Sequence, residues 1–197
     1  MSRAFRFITR SIQNHTNLSK ALEQSLYHIR SAKAFNKFLN CLFDAAMEDE
    51  RYVVLFDMLY QRYPHRTDLP MAKAIVIMLD KPKAAIQILS ETLVVLHQKK
   101  HSHRDVAECY ILIAELFAKL NNPLQSIAAC KLALSHYIPD EDAQGFYNRI
   151  YHTRARQYLK LNQPIPALLD TLRIASYSSH SPMHKELLDQ IKTFNHS

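Results

Sequence analysis

The chain has 197 residues, 48% of them hydrophobic and 22% charged, with a formal net charge of +7. That balance belongs to a globular protein and not to a disordered one. Gly145 is the single glycine, where average usage would give about 14. One glycine excludes the dinucleotide fingerprint, the P-loop, the kinase glycine loop and the G-x-S-x-G elbow. It also leaves few positions for tight hairpin turns built on positive φ.

The basic excess sits at the N-terminus. Residues 1–40 hold Arg3, Arg6, Arg10, Lys20, Arg30, Lys33 and Lys37 against one acid, Glu23, which accounts for +6 of the total. On a helix, Phe5, Ile8 and Ile12 share one side while Arg3, Arg6 and Arg10 share another. This opening resembles a mitochondrial targeting helix and could also lie on an anionic membrane. The simpler expectation is an amphipathic first helix that caps the domain. No secretory signal is read here, and the longest apolar run, Ala74–Leu79, falls far short of the roughly 20 residues of a membrane span.

Cys41, Cys109 and Cys130 form no CxxC pair and lie in apolar helical runs. Buried, reduced thiols in an intracellular protein are expected from that placement. The location read from the sequence is cytoplasmic, with a mitochondrial one as the alternative.

Further along the chain, an internal repeat dominates. Leu79-Asp80-Lys81-Pro82, Leu120-Asn121-Asn122-Pro123 and Leu161-Asn162-Gln163-Pro164 align without gaps at a spacing of 41 residues. Each segment has the chemistry of a helix–turn–helix. Leu ends one helix, and Asp80, Asn121 or Asn162 follows where the chain leaves helical geometry through a left-handed residue, which Asn and Asp tolerate best after glycine. Proline then opens the next helix, where no amide proton is needed. Three residues later, Ala85, Ser126 or Ala167 lets the second helix approach the first. The flanking helices carry matching apolar stripes: Tyr110, Ile113, Ala114 and Phe117 in the middle unit, and Tyr151, Ala155 and Tyr158 in the last.

This pattern resembles the tetratricopeptide repeat family, in its helix A of aromatic, apolar and small residues, its Leu-led turn and its closing proline. It departs from the family in having Asn or Asp for the turn glycine, no tryptophan, and a period of 41 residues against about 34. The resemblance implies an all-α, right-handed stack of antiparallel helical hairpins, an α-solenoid of about nine to eleven helices without a sheet. Repeats are expected over 66–100, 105–139 and 146–180, with a degenerate one traced loosely at 33–64. Residues 1–63 would then form N-terminal capping helices, 64–197 the repeat array, and 182–195 a C-terminal capping helix. Ser102, Asp140 and Ser181 read as helix caps.

The resemblance further implies a concave face lined by helix A. In the last unit that face would present Arg149, His152, Arg156 and Lys160, a basic stripe suited to the acidic end of a peptide. The alternative is structural: Glu108 and Glu115 lie 41 residues before Arg149 and Arg156, so acid and base could pair between neighbouring repeats.

His97, His101 and His103 form the best histidine cluster, and the intervening Gln-Lys-Lys opposes a cation, so no metal is expected there. Tyr147, Tyr151 and Tyr158 beside Arg149 and Arg156 could stack single-stranded nucleic acid, although Tyr151 and Tyr158 fall at core positions of the repeat and residues 41–197 are almost neutral. A nucleic-acid partner is therefore disfavoured.

No nucleophile–base pair, metal set or phosphate loop can be assembled, so no catalytic residue, cofactor or enzyme activity is assigned. The sequence points to a protein-interaction scaffold, adaptor or chaperone that holds a peptide or helix of another protein. An organelle- or membrane-associated assembly factor positioned by residues 1–13, and a helical-repeat RNA-binding protein, are the alternatives. A homodimer stays open.

Overall fold

The computed structural model describes residues 6, 8–11, 14, 17–98, 103–137, 143–177 and 182–194. Among the described residues the protein is all-helical, with no strand. Ten α-helices follow in chain order: α1 (Leu18–Tyr27), α2 (Ala32–Glu48), α3 (Val54–Arg62), α4 (Asp68–Ile77), α5 (Pro82–Gln98), α6 (His103–Lys119), α7 (Pro123–His136), α8 (Ala143–Lys160), α9 (Pro164–Tyr177) and α10 (Pro182–Phe194), with a 3-10 turn at Glu50–Tyr52. The chain divides into two compact units, 1–79 and 80–197. The division falls inside the turn of the first expected repeat.

In the first unit, polar side chains start the helices. The Asn17 Oδ1 accepts from the Lys20 amide at 3.1 Å and the Ser31 Oγ accepts from the Ala34 amide at 3.1 Å, each satisfying a donor that the first helical turn leaves free. Asp49 ends α2 in extended geometry and caps the 3-10 turn by accepting from the Arg51 amide. The core is assembled from every element. Ile8, Leu22, Phe38, Leu42, Leu55 and Leu69 all enter it.

In the second unit each helix packs against the next, and α6 with α8 and α8 with α10 also meet directly. The two turns of this unit that carry asparagine share one geometry. Asn121 (φ 55°) and Asn162 (φ 58°) are left-handed, as expected from the sequence. At each, the amides two and three residues past the helix reach back to close the end. Asn122 N–H bonds the Phe117 carbonyl and Asn121 N–H that of Ala118, at 2.9 and 3.2 Å; Gln163 and Asn162 repeat this onto Tyr158 and Leu159 at 2.9 and 3.0 Å. Asp80 departs from the expectation: it has no positive φ.

The small residues behave as the spacing requires. Ala85, Ser126 and Ala167 are fully buried, as are Ala114 and Ala155 opposite them. The Ser126 hydroxyl donates to the Ala114 carbonyl across the helix pair at 2.7 Å, so this contact is polar as well as close. One register position is unlike its counterparts. Arg154 stands where the middle repeat has Ile113, and Asp170 where it has Ala129; both are buried, and they pair with each other. Cys109 and Cys130 are buried as expected, while Cys41 is only half-buried. The expected caps Ser102, Asp140 and Ser181 lie outside the described residues.

Candidate functional site

Helix α8 carries the basic stripe on the side that faces α6. Arg149 is spoken for. Its Nε and Nη2 donate to the two Glu115 oxygens at 2.5 and 2.6 Å, and its Nη1 donates to Glu108 at 2.6 Å. Burial opposes the charge of this guanidinium, but the bonds and fields of Glu115 and Glu108 outweigh it and raise its pKa. Pairing between neighbouring helices thus exists at Arg149, which takes both carboxylates. Glu115 does not pair with Arg156, its counterpart 41 residues on.

Arg156 and Lys160 are exposed. Arg156 has no ion pair among the described residues, and the Lys160 ammonium lies 3.4 Å from both the Ala118 carbonyl and Asn121 Oδ1. Between α6 and α8 runs a groove of about 330 Å³, bordered by Glu115, Ala118 and Lys119 on one side and by His152, Thr153, Arg156, Gln157 and Lys160 on the other. Its acid is already matched by Arg149, and Arg156 and Lys160 are exposed cations along it that make no ion pair among the described residues.

Gln157 is only 3% exposed, and its Oε1 has no hydrogen-bond partner. A buried amide oxygen without a partner is costly, so such groups are normally matched. The His152 Nε2 also lacks a hydrogen bond; it stands 3.6 Å from the Glu186 carboxylate of α10. Burial pushes the His152 pKa down, with Glu186 partly opposing.

The other sequence candidates are placed as follows. His97, His103 and Tyr110 surround His136, with ring centroids 5.5, 6.3 and 5.6 Å from it; His101 lies outside the described residues. Among the described residues no group of three His, Cys, Asp or Glu is arranged to hold a metal. Tyr147 stacks on Tyr151 and Tyr177 at 6.0 and 5.1 Å, and the Tyr151 ring lies under Arg154 and Arg173. Of the N-terminal arginines, Arg6 and Arg10 are exposed and Arg3 lies outside the described residues, while Ile8 is fully buried in the core of the first unit. No helix among the described residues is long and apolar enough to cross a membrane.

Gln157, Thr153 and Lys119 were not singled out by sequence reasoning. Gln157 carries the one readable signal, an amide one residue after Arg156 and three before Lys160. Comparison of the chain with protein families, with curated proteins and with solved structures gives no match.

Proposed function

We propose that this chain is a non-catalytic interaction protein whose second unit is a tetratricopeptide-like solenoid and holds an extended peptide or helix of a partner protein between α6 and α8. Support for the solenoid comes from the 41-residue period, from the matching left-handed turns at Asn121 and Asn162, and from the contacts of α6 with α8 and of α8 with α10. In such a stack these alternate helices line the concave side.

The observation that carries the binding role is the Gln157 amide. It is buried, without a partner at its oxygen, and borders the groove along which Arg156 and Lys160 have no ion pair among the described residues. A peptide supplies what this site lacks: carboxylates for Arg156 and Lys160, and main-chain N–H groups for Gln157 Oε1 once that side chain turns toward the groove. His152 stands at the border of the same groove. Arg149 has a different task, holding α8 against α6 through Glu108 and Glu115.

The test is affinity capture from the native cell, with proteins identified by mass spectrometry. Arg156→Glu/Lys160→Glu is expected to lose a partner that the wild type retains, with helicity and Tm unchanged. Gln157→Leu should weaken the same partner. A partner set unchanged in both variants would refute the groove as the binding site.

A further inference from the structure

In the first unit, charges sort into two groups. Between residues 49 and 73, Arg51 holds Asp49, Arg66 holds Asp68 and Lys73 holds Asp57. Arg6, Arg10, Lys20, Arg30, Lys33 and Lys37 are all exposed, and none makes an ion pair among the described residues. The acids described before residue 49 are Glu23, Asp44 and Glu48, all exposed, so this part of the unit stays net positive against the six cations.

Their spacing gives them direction. Arg6 and Arg10 are four apart on helical backbone, Lys20, Gln24 and Tyr27 follow an i, i+4, i+7 line along α1, and Lys33 and Lys37 are four apart on α2, with Arg30 just before its extended cap Ser31. The opposite side of each segment is anchored in the core, through Ile8, Leu22 and Leu26, and Phe38 and Leu42. The basic sides are therefore held outward by packing. Only four residues join α1 to α2, so Tyr27, 74% exposed, stands beside the turn that brings in Arg30 and Lys33.

One described apolar residue of the N-terminal segment bears on the choice between polyanions. A helix that docks on a bilayer inserts its apolar face among the lipids, and here Ile8 is used up in the core. Among the described residues, the outward groups over 6–40 include the cations, one acid, Glu23, the amides Gln24 and Asn40, and an exposed tyrosine ring. That combination matches a phosphate backbone with unstacked bases: cations for the phosphates, amides for sugar and phosphate oxygens, and a ring for a base.

We infer that the α1–α2 face of the first unit binds single-stranded nucleic acid through its phosphates, with Tyr27 stacking on a base. This surface is separate from the groove of the second unit and does not depend on it.

The full-length chain is titrated by fluorescence anisotropy against labelled 20-nucleotide RNA and DNA of one sequence, and by co-sedimentation with vesicles containing phosphatidylserine. Binding of a strand is expected at about 50 mM salt; for four neutralised phosphates it should weaken about 50-fold by about 200 mM. Arg30→Glu/Lys33→Glu/Lys37→Glu should cost about 30-fold or more, and Tyr27→Ala about 10-fold. Folding of the variants is checked by helicity and Tm, and Lys20→Gln/Lys37→Gln provides a milder second test with a smaller loss. Tighter binding of RNA than DNA assigns RNA as the ligand, and equal binding assigns single strands of either kind. Strand binding that survives the triple reversal, capture by vesicles without strand binding, or no binding to either overturns the inference.

Discussion

Arg154 and Asp170 face each other across α8 and α9 through two parallel bonds of 2.7 Å, with side chains only 9% and 1% exposed. Arg173 adds a third bond to the same carboxylate at 2.8 Å. Burial opposes the Arg154 charge, and the bond to Asp170 raises its pKa in spite of it. The middle repeat fills the same two positions with Ile113 and Ala129, so the framework accepts either an ion pair or an apolar pair there.

Removing one partner of this pair leaves the other charge buried alone. Asp170→Ala is expected to destabilise the second unit by about 3–5 kcal/mol. The double replacement Arg154→Ile/Asp170→Ala, which copies the middle repeat, should recover most of that loss, since a well-packed apolar pair often equals a buried ion pair. Urea unfolding of the three proteins measures both effects. Equal losses in the single and double variants would show that the pair is not interchangeable with its apolar counterpart.

The left-handed asparagines are open to a simpler substitution. Asn121→Ala or Asn162→Ala places a Cβ residue without a local polar compensation in the left-handed region, at a cost of about 1 kcal/mol each. Asn121→Gly relieves the same position and should leave stability equal or slightly higher. Melting temperatures of the three variants distinguish a helix end that needs left-handed backbone from one that can rearrange.

Two histidines contribute to the acid side of the stability curve. Burial and the charges of His97 and His103 lower the pKa of His136, and burial lowers that of His152, both from an ordinary 6.5. Below that value the unfolded chain takes up a proton at each position that the folded chain refuses. Stability is therefore full at higher pH and declines as pH falls through 6.5 toward the lowered values. Unfolding at pH 7.5 and 5.5 should show lower stability at 5.5, and His136→Gln/His152→Gln should reduce the difference. An equal difference in the variant would assign the dependence to other groups.

Thiol chemistry should divide the cysteines. Burial pushes Cys109 and Cys130 up to about 12, with Asp105 and Glu108 adding to the first and Asp170 and Glu115 to the second, where Arg154 partly opposes. Few thiolates form there at neutral pH, and access is closed. Labelling of the native protein with a thiol reagent is expected to modify half-buried Cys41 first, with Cys109 and Cys130 reacting only on unfolding. Rapid loss of all three thiols without denaturant would contradict the packing of α6 and α7.

The helical class was legible because periodicity and punctuation agreed. Proline at 82, 123 and 164 starts a helix each time, and small residues at 85, 126 and 167 are buried each time. Asp80 was misread because the turn was inferred by analogy with two asparagines, and backbone torsion follows the surrounding packing more than one side chain. The groove was legible only in part. Spacing placed Arg149, His152, Arg156 and Lys160 on one side of α8, but it could not say that Arg149 would take both glutamates, since that depends on the reach and fork of a guanidinium. Gln157 went unnoticed because a lone amide in a helix has no pattern; its meaning lies in what fails to face it. Arg154 and Asp170 were detectable, as charges of opposite sign at two positions that are apolar one repeat earlier.

The bridge from Arg149 to Glu108 and Glu115 gives the array a grammar. Position 149 of the last repeat corresponds to position 108 of the middle one, so one repeat supplies acids and the next supplies the base that reads them. A copy of the middle repeat inserted after itself would set glutamate against glutamate at both levels. Lengthening the protein by duplication would therefore weaken the new junction unless the arginine travels with it, and the order of these segments is written in charge as much as in sequence.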